Sequence, residues 1–455
     1  MKLKLTKKQR GWLIGLIVAL EILLILLVIA GMVGGALTEG AVGVIVTVLL
    51  LLVPVLLVVL LLTVLFGGKK TAAESVAATE PRPTAPPSAS ADPTPDESRF
   101  CMLNRIEADR HRLGHRQYDS TVTLRGFCED FRNYAASELG LYYSMDDIRR
   151  FVAGMAVSKI LILQGMSGTG KTSLAHAFGE FVDNRSTVIP VQPMWKERTD
   201  LIGYYNEFTK RFNETVLLEK MYEANLSQDI YVTVLDEMNI ARVEYYFAEF
   251  LSLLELPNPE ERYLTVVSDV WENDPPGLTD GRIKLPVNMW FIGTANNDDS
   301  TFAISDKVYD RAMVLDLDRK SERFVAPKTK PLPISADHFA RLADAATKEY
   351  AVSARNRARL QMLDQYLIEH FHITFGNRIM KQINTYIPVF IACGGDELVA
   401  LDDILAKKVI RKLETQNPIY LRGAAEGLLG YLDELFGPDR MTACKEAIQR
   451  LRRNA

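Results

Sequence analysis

The sequence predicts an α/β fold: a parallel sheet covered on both faces and followed by a helical lid, with two transmembrane helices ahead of it. Three observations carry this reading. Five short apolar, β-branched runs alternate with helical stretches between residues 159 and 317, as strands joined by crossover helices do. After about Ser335 the β-runs fade and helical periodicity takes over, as in Phe339–Ala351 and Asn356–His370. Ahead of both, the 58 residues from Gly11 to Gly68 hold only two charges, Glu21 and Glu39.

The elements follow in chain order. Residues 11–33 and 41–66 are each long enough to cross a hydrocarbon core of about 30 Å, and the four glycines of GMVGGALTEG suit a turn between them. Residues 1–70 carry a net charge of +5 against −4 for the whole chain, so a basic, apolar head precedes an acidic body. That contrast argues against an ordinary cytosolic enzyme. Five basic residues precede the first span and two follow the second. The bias of Lys and Arg toward the cytoplasmic side then predicts a cytoplasmic (inner) membrane protein with two spans, both termini and the body being cytoplasmic. Glu21, near the middle of the first span, is read either as a functional carboxyl or as one held neutral inside a helix bundle. Residues 71–98 contain six Pro, seven Ala and eight Ser or Thr, which cannot build a core and read as a tether. Residues 99–143 form a small helical preface, 144–334 the α/β domain and 335–455 the helical lid.

The four cysteines are far apart and lack metal-ligand spacing, so neither a disulfide framework nor a zinc site is expected. The first β-run, Lys159–Leu163, ends in Gly165-Met-Ser-Gly-Thr-Gly-Lys-Thr172 and leads into the helical SLAHAFGEFV. This is G-x-x-x-x-G-K-[ST] in the strand–loop–helix context the motif needs. Glycines let backbone N–H groups converge on phosphate oxygens, and a helix N-terminus adds partial positive charge. Gly165, Ser167, Gly168, Thr169, Gly170, Lys171, Thr172 and Ser173 are the candidate nucleotide-binding residues. Lys171 would reach the β- and γ-phosphates, and Thr172 would ligate Mg²⁺.

The third run, Ile230–Leu235, delivers Asp236 and Glu237 to the crevice at the end of a parallel sheet. Asp236 is the expected Mg²⁺ partner of Thr172, and Glu237 the group that polarises water. A fourth run, Met289–Gly293, leads to the amides Asn296 and Asn297, which can orient water without adding charge. Arg311, just before the fifth run (Met313–Leu317), could stabilise phosphoryl charge from a neighbouring subunit, or simply pair with Asp306 or Asp310.

Taken together, the stretches QGMSGTGKT, VLDEMNIARVEYYFAEFLSLLE, WFIGTANNDDSTFAISDKVYDRA and FGNRIMKQINTYI resemble the AAA+ NTPases, and among them the McrB-type, dynein-related branch. The resemblance spans about residues 144–390. It implies a homo-oligomeric ring, usually of six, with nucleotide at the subunit interfaces. It also implies that Lys171 and Thr172 are Walker A, Asp236 and Glu237 Walker B, Asn296 or Asn297 sensor 1, Arg311 a finger acting in trans, and Arg378 a sensor 2 contacting nucleotide. The branch signature M-N-x-x-D stands here as Ala295-Asn296-Asn297-Asp298-Asp299, with Met replaced. ATP is favoured over the GTP used by restriction members. WKERTDLIGYY, at 195–205, also matches the branch.

Three functions follow. The favoured one is a membrane-anchored ring NTPase that remodels a protein partner. The second is a nucleic-acid motor of a defence system, which the acidic body disfavours. The third is a nucleotide-gated membrane scaffold with little turnover.

Overall fold

A computed structural model describes residues 98–114, 116–296, 301–318 and 321–454, all within one compact unit, Ser88–Ala455. Strands are numbered β1 Ile160–Gly165, β2 Thr187–Pro190, β3 Gly203–Asn206, β4 Arg211–Glu214, β5 Tyr231–Asp236, β6 Tyr263–Thr265, β7 Leu278–Thr279, β8 Arg282–Lys284, β9 Met289–Asn296 and β10 Met313–Asp316. The longer helices are α1 Met102–Ala108, α2 Leu124–Leu139, α3 Met145–Val157, α4 Lys171–Phe181, α5 Val216–Asn225, α6 Ala248–Glu255, α7 Ala336–Glu349, α8 Ala354–Phe371, α9 Gly376–Ala392, α10 Glu397–Lys408, α11 Pro418–Phe436 and α12 Thr442–Asn454.

The five apolar runs become one five-stranded parallel sheet in the order β10-β1-β9-β5-β2. Because side chains alternate along a strand, each central strand feeds two cores. Leu161 and Leu163 of β1, with Val232 and Val234 of β5, face α2, α3 and α4, where Phe127, Phe131, Phe151, Phe178 and Phe181 interlock. Ile160 and Ile162, with Tyr231 and Leu235, face the other layer, where Phe247, Phe250 and Phe291 stack against α6. A sheet buried on both faces needs such continuous apolar strands.

The first core runs on into α7–α12, so the α/β domain and its helical C-terminal part share buried contacts. Helix starts are set by side-chain caps: Ser144, Ser335 and Ser353 each accept the N–H three residues on, and Asp396 accepts from Leu398 and Val399.

Two small β-elements have no counterpart among the five expected runs. The hairpin β3–β4 interrupts the helical stretch between β2 and β5, and β6-β8-β7 form an antiparallel sheet before β9. Gly203 opens the hairpin at φ 96°, where a Cβ would meet the Asn213 carbonyl oxygen at 2.0 Å. Both elements are tied to Arg99. Its guanidinium is buried between Asp274 (2.7 Å) and Asp269 (3.1 Å) and lies 4.5 Å from the Trp271 ring.

The expected seat in the inner membrane is corrected here: among the described residues no helix is long and apolar enough to cross a membrane. The segments 11–33 and 41–66, Glu21 and residues 71–97 of the tether lie outside the described residues.

Candidate active site

Three adjacent strands of the sheet carry the expected residues at their C-terminal ends. Gly165 ends β1, Asp236 ends β5 and Asn296 ends β9. Gly165 pairs directly with Asn296 across the β1–β9 ladder. Each site residue follows its own strand, so the sheet register sets the spacing.

The loop from Gly165 to Gly170 turns at left-handed glycines, Gly168 (φ 77°) and Gly170 (φ 94°), before α4 begins at Lys171. A Cβ at Gly168 would meet nothing within 4 Å, leaving one side of the loop open, whereas at Gly165 it would meet the Leu317 carbonyl oxygen at 2.6 Å. Lys171 is 7% exposed and curls along the loop, donating from Nζ to the carbonyls of Gly165 (3.0 Å) and Met166 (2.8 Å). Ser167 and Gly168 are exposed, Thr169 Oγ1 donates to Met166 O at 2.9 Å, and Ser173 is half-buried on the first turn of α4. Tyr143 supports the loop from beneath: its hydroxyl donates to Gly170 O at 3.1 Å. Burial pushes that phenol well above its usual range, which keeps it a donor.

Thr172 and Asp236 meet as expected: Thr172 Oγ1 donates to Asp236 Oδ1 at 2.7 Å. The same Oδ1 accepts from Thr294 Oγ1 at 2.8 Å, and Thr294 Oγ1 in turn accepts from the Glu237 N–H at 2.8 Å. Thr294 therefore links Asp236 to the backbone of Glu237, a role not expected of it. The one available signal was a hydroxyl in an otherwise apolar buried strand next to the acidic one. Glu237 sits at φ 52° with an exposed side chain, which separates its carboxylate from that of Asp236. Thr172 and Asp236 are the hard oxygen donors that Mg²⁺ takes alongside substrate phosphates and water. Among the described residues no cluster of three or more His, Cys, Asp or Glu could hold a metal by itself.

Asn239, also unexpected, ties Asn296 to Phe302. Its Nδ2 donates to Asn296 O (2.9 Å) and Phe302 O (3.3 Å), and its own carbonyl accepts from Phe302 N (2.8 Å). Asn297 lies outside the described residues.

Arg311 and Arg378 are not brought to this edge. Met313 pairs with Leu161, so Arg311 lies about six residues, or roughly 20 Å, below Gly165 along the sheet. There the two arginines share one carboxylate: Arg311 Nη2 is 2.6 Å from Glu255 Oε2, and Arg378 pairs with Oε1. The expected alternatives for Arg311, ion pairs with Asp306 or Asp310, do not form; those carboxylates pair with Arg411 and Lys412. A cavity of about 690 Å³ lies at this opposite edge, with Lys159, Arg262, Arg311, Arg378 and Lys381 in its wall against Glu255.

Residues 160–312 match the family described as AAA domain (dynein-related subfamily). The match runs from the start of β1 to the residue before β10, so it takes in the phosphate loop, the acidic strand end and Arg311. A comparison with curated proteins finds no match. Among solved structures, a proposed ATPase from Cytophaga hutchinsonii is similar at a TM-score of 0.42 and 13% identity, over 72% of this chain and 96% of that one. A full-length MCM homologue from Methanopyrus kandleri is similar at a TM-score of 0.34 and 10% identity, over 67% of this chain and 58% of that one. Residues 160–312 are thus similar to a dynein-related AAA domain, and they lie in a parallel-sheet α/β unit that is followed by a helical part.

Proposed function

We propose that the protein is a P-loop nucleoside triphosphatase, with ATP favoured over GTP, that works as a homo-oligomeric ring of six and couples hydrolysis to the remodelling of a protein partner. The observation that carries this reading is the hydrogen bond from Thr172 Oγ1 to Asp236 Oδ1, with Lys171 one residue away and Glu237 one residue beyond. A bound Mg²⁺–nucleotide would supply the phosphoryl group and neutralise its developing charge. Thr172 and Asp236 would hold the metal. Lys171 would exchange its two loop carbonyls for phosphate oxygens. Asn296 would orient water, and Glu237 would take its proton. Arg311 and Arg378, too far from their own loop, would face the nucleotide of a neighbouring copy.

Glu237→Gln tests the assignment. Removing a positioned base costs about 10²–10⁴-fold in turnover, so the variant should bind nucleotide normally and hydrolyse it at least about a hundredfold more slowly. Undiminished hydrolysis would remove Glu237 from the mechanism. Affinity capture with the same variant, compared with and without ATP, tests the protein partner; capture that does not depend on nucleotide would count against remodelling.

A further inference from the structure

The loop that carries Arg311 follows a single helical turn, Asp306–Tyr309. The last carbonyls of a helix have no partner of their own. Here four consecutive carbonyls find one in a side chain. Lys408 Nζ donates to Tyr309 O (2.7 Å) and to Ala312 O, Gln382 Nε2 to Asp310 O (3.0 Å), and Ser158 Oγ to Arg311 O (2.8 Å). Lys408 and Gln382 belong to the helical C-terminal part, on α10 and α9. Arg411 adds to the grip, lying 3.7 Å over the Tyr309 ring and pairing with Asp306.

Lys408 is the unusual member. It is 3% exposed, and no carboxylate pairs with its ammonium among the described residues. Burying an unpaired ammonium is costly, and a Met would fill similar space at no such cost. The gain is the pair of carbonyls that bracket Asp310 and Arg311.

We propose that Lys408, assisted by Gln382, is a positioning residue for hydrolysis at a neighbouring copy's site: it fixes the backbone of residues 309–312 and so aims Arg311 across the interface. This rests on the reading of Arg311 as a group acting in trans. It places a control over one copy's active site in the helical part of the next.

Mixed assemblies test it. Lys408→Met alone should lower kcat about 10- to 100-fold, as misplacing a catalytic group does, with nucleotide affinity within about twofold of the parent. Mixed with Lys171→Ala, whose loop is defective but whose Arg311 is sound, Lys408→Met should regain activity, because its intact loop then meets a well-held arginine. Arg311→Ala mixed with Lys171→Ala is the reference and should regain activity in the same pattern. If the reference recovers and the Lys408→Met mixture does not, Lys408 does not act through Arg311 and the inference falls alone. If the reference itself fails to recover in assembled mixtures, the trans reading falls and takes the inference with it. Full activity of Lys408→Met would also overturn it. Gln382→Leu, which leaves the buried ammonium untouched, goes through the same mixture. It should show a smaller loss with the same recovery, and it decides the matter should Lys408→Met fail to assemble.

Discussion

The two edges of the sheet hold candidate functional groups by different means. At the C-terminal edge each group follows a strand: Gly165 ends β1, Asp236 ends β5 and Asn296 ends β9, and backbone register spaces them. At the N-terminal edge Arg311 and Arg378 are gathered by side chains from elsewhere, Glu255 on α6 and Lys408 and Gln382 on the C-terminal helices. The first arrangement is rigid because a parallel sheet buried on both faces is rigid. The second can be adjusted by moving a helix. An enzyme that must hold its substrate firmly and regulate what approaches it has reason to use both.

If this contrast is functional, substitutions at the two edges should separate affinity from turnover. The largest effect is expected at Arg311. An arginine supplied in trans is worth about 10³–10⁵ in kcat, so Arg311→Ala should lose turnover on that scale while binding nucleotide normally. Lys171→Ala, at the other edge, should lose binding as well. Equilibrium titration with a fluorescent nucleotide, set beside steady-state hydrolysis, checks both. A loss of affinity in Arg311→Ala would mean that the two edges do not divide the work.

A smaller effect tests how rigid the C-terminal edge is. Thr294→Val keeps the shape and removes the hydroxyl that joins Asp236 Oδ1 to the Glu237 N–H. Leaving that donor unpaired should cost about 1–3 kcal/mol in stability. Hydrolysis should fall about tenfold through misplacement of Glu237. Denaturant unfolding and kcat measure the two. Loss of stability with no loss of kcat would show that Thr294 braces the fold and leaves Glu237 where it was.

The same contrast explains what was legible in the sequence. The runs that form β1, β5 and β9 were legible because strands buried on both faces must be continuously apolar, whereas β2 is half-exposed and was legible from its β-branched residues. The positions of the loop from Gly165 to Thr172 and of the pair Asp236–Glu237 were legible because each is local to a strand end. Thr294 is not legible in this way because its partners, Asp236 and Glu237, lie at the end of another strand. The hairpin β3–β4 was missed because its turn, Glu207-Phe208-Thr209-Lys210, has no Gly and closes instead through the Asn206 side chain and a left-handed Lys210. Arg378 was grouped with the nucleotide by resemblance, but only the fold sets it beside Arg311 on Glu255. Lys408 gave no signal at all: a lysine near a helix C-terminus reads as an ordinary solvated end, and nothing in the sequence says that it is buried.

That burial supplies the most specific prediction. Burial pulls the Lys408 pKa down from 10.5 to about 7; Asp310 opposes the shift, while Arg411, Lys412 and Arg378 reinforce it. In the unfolded chain the group keeps its ordinary value. Between about pH 7 and 10 the unfolded chain therefore binds more protons than the folded one, and stability rises with pH by at most about 1.4 kcal/mol per unit. Below about 7 both states are charged and the burial penalty is carried in full. A neutral amine still has two N–H groups, one each for Tyr309 O and Ala312 O, so the hold on the loop need not fail as the proton leaves. Urea unfolding of the parent and Lys408→Met at about pH 7, 8.5 and 10 isolates the contribution. The parent should gain stability relative to the variant as pH rises. Parallel profiles would mean that the bracketing carbonyls already offset the burial of the charge. The N-terminal edge would then be held as firmly as the C-terminal one, and the difference between them would be one of origin and not of stiffness.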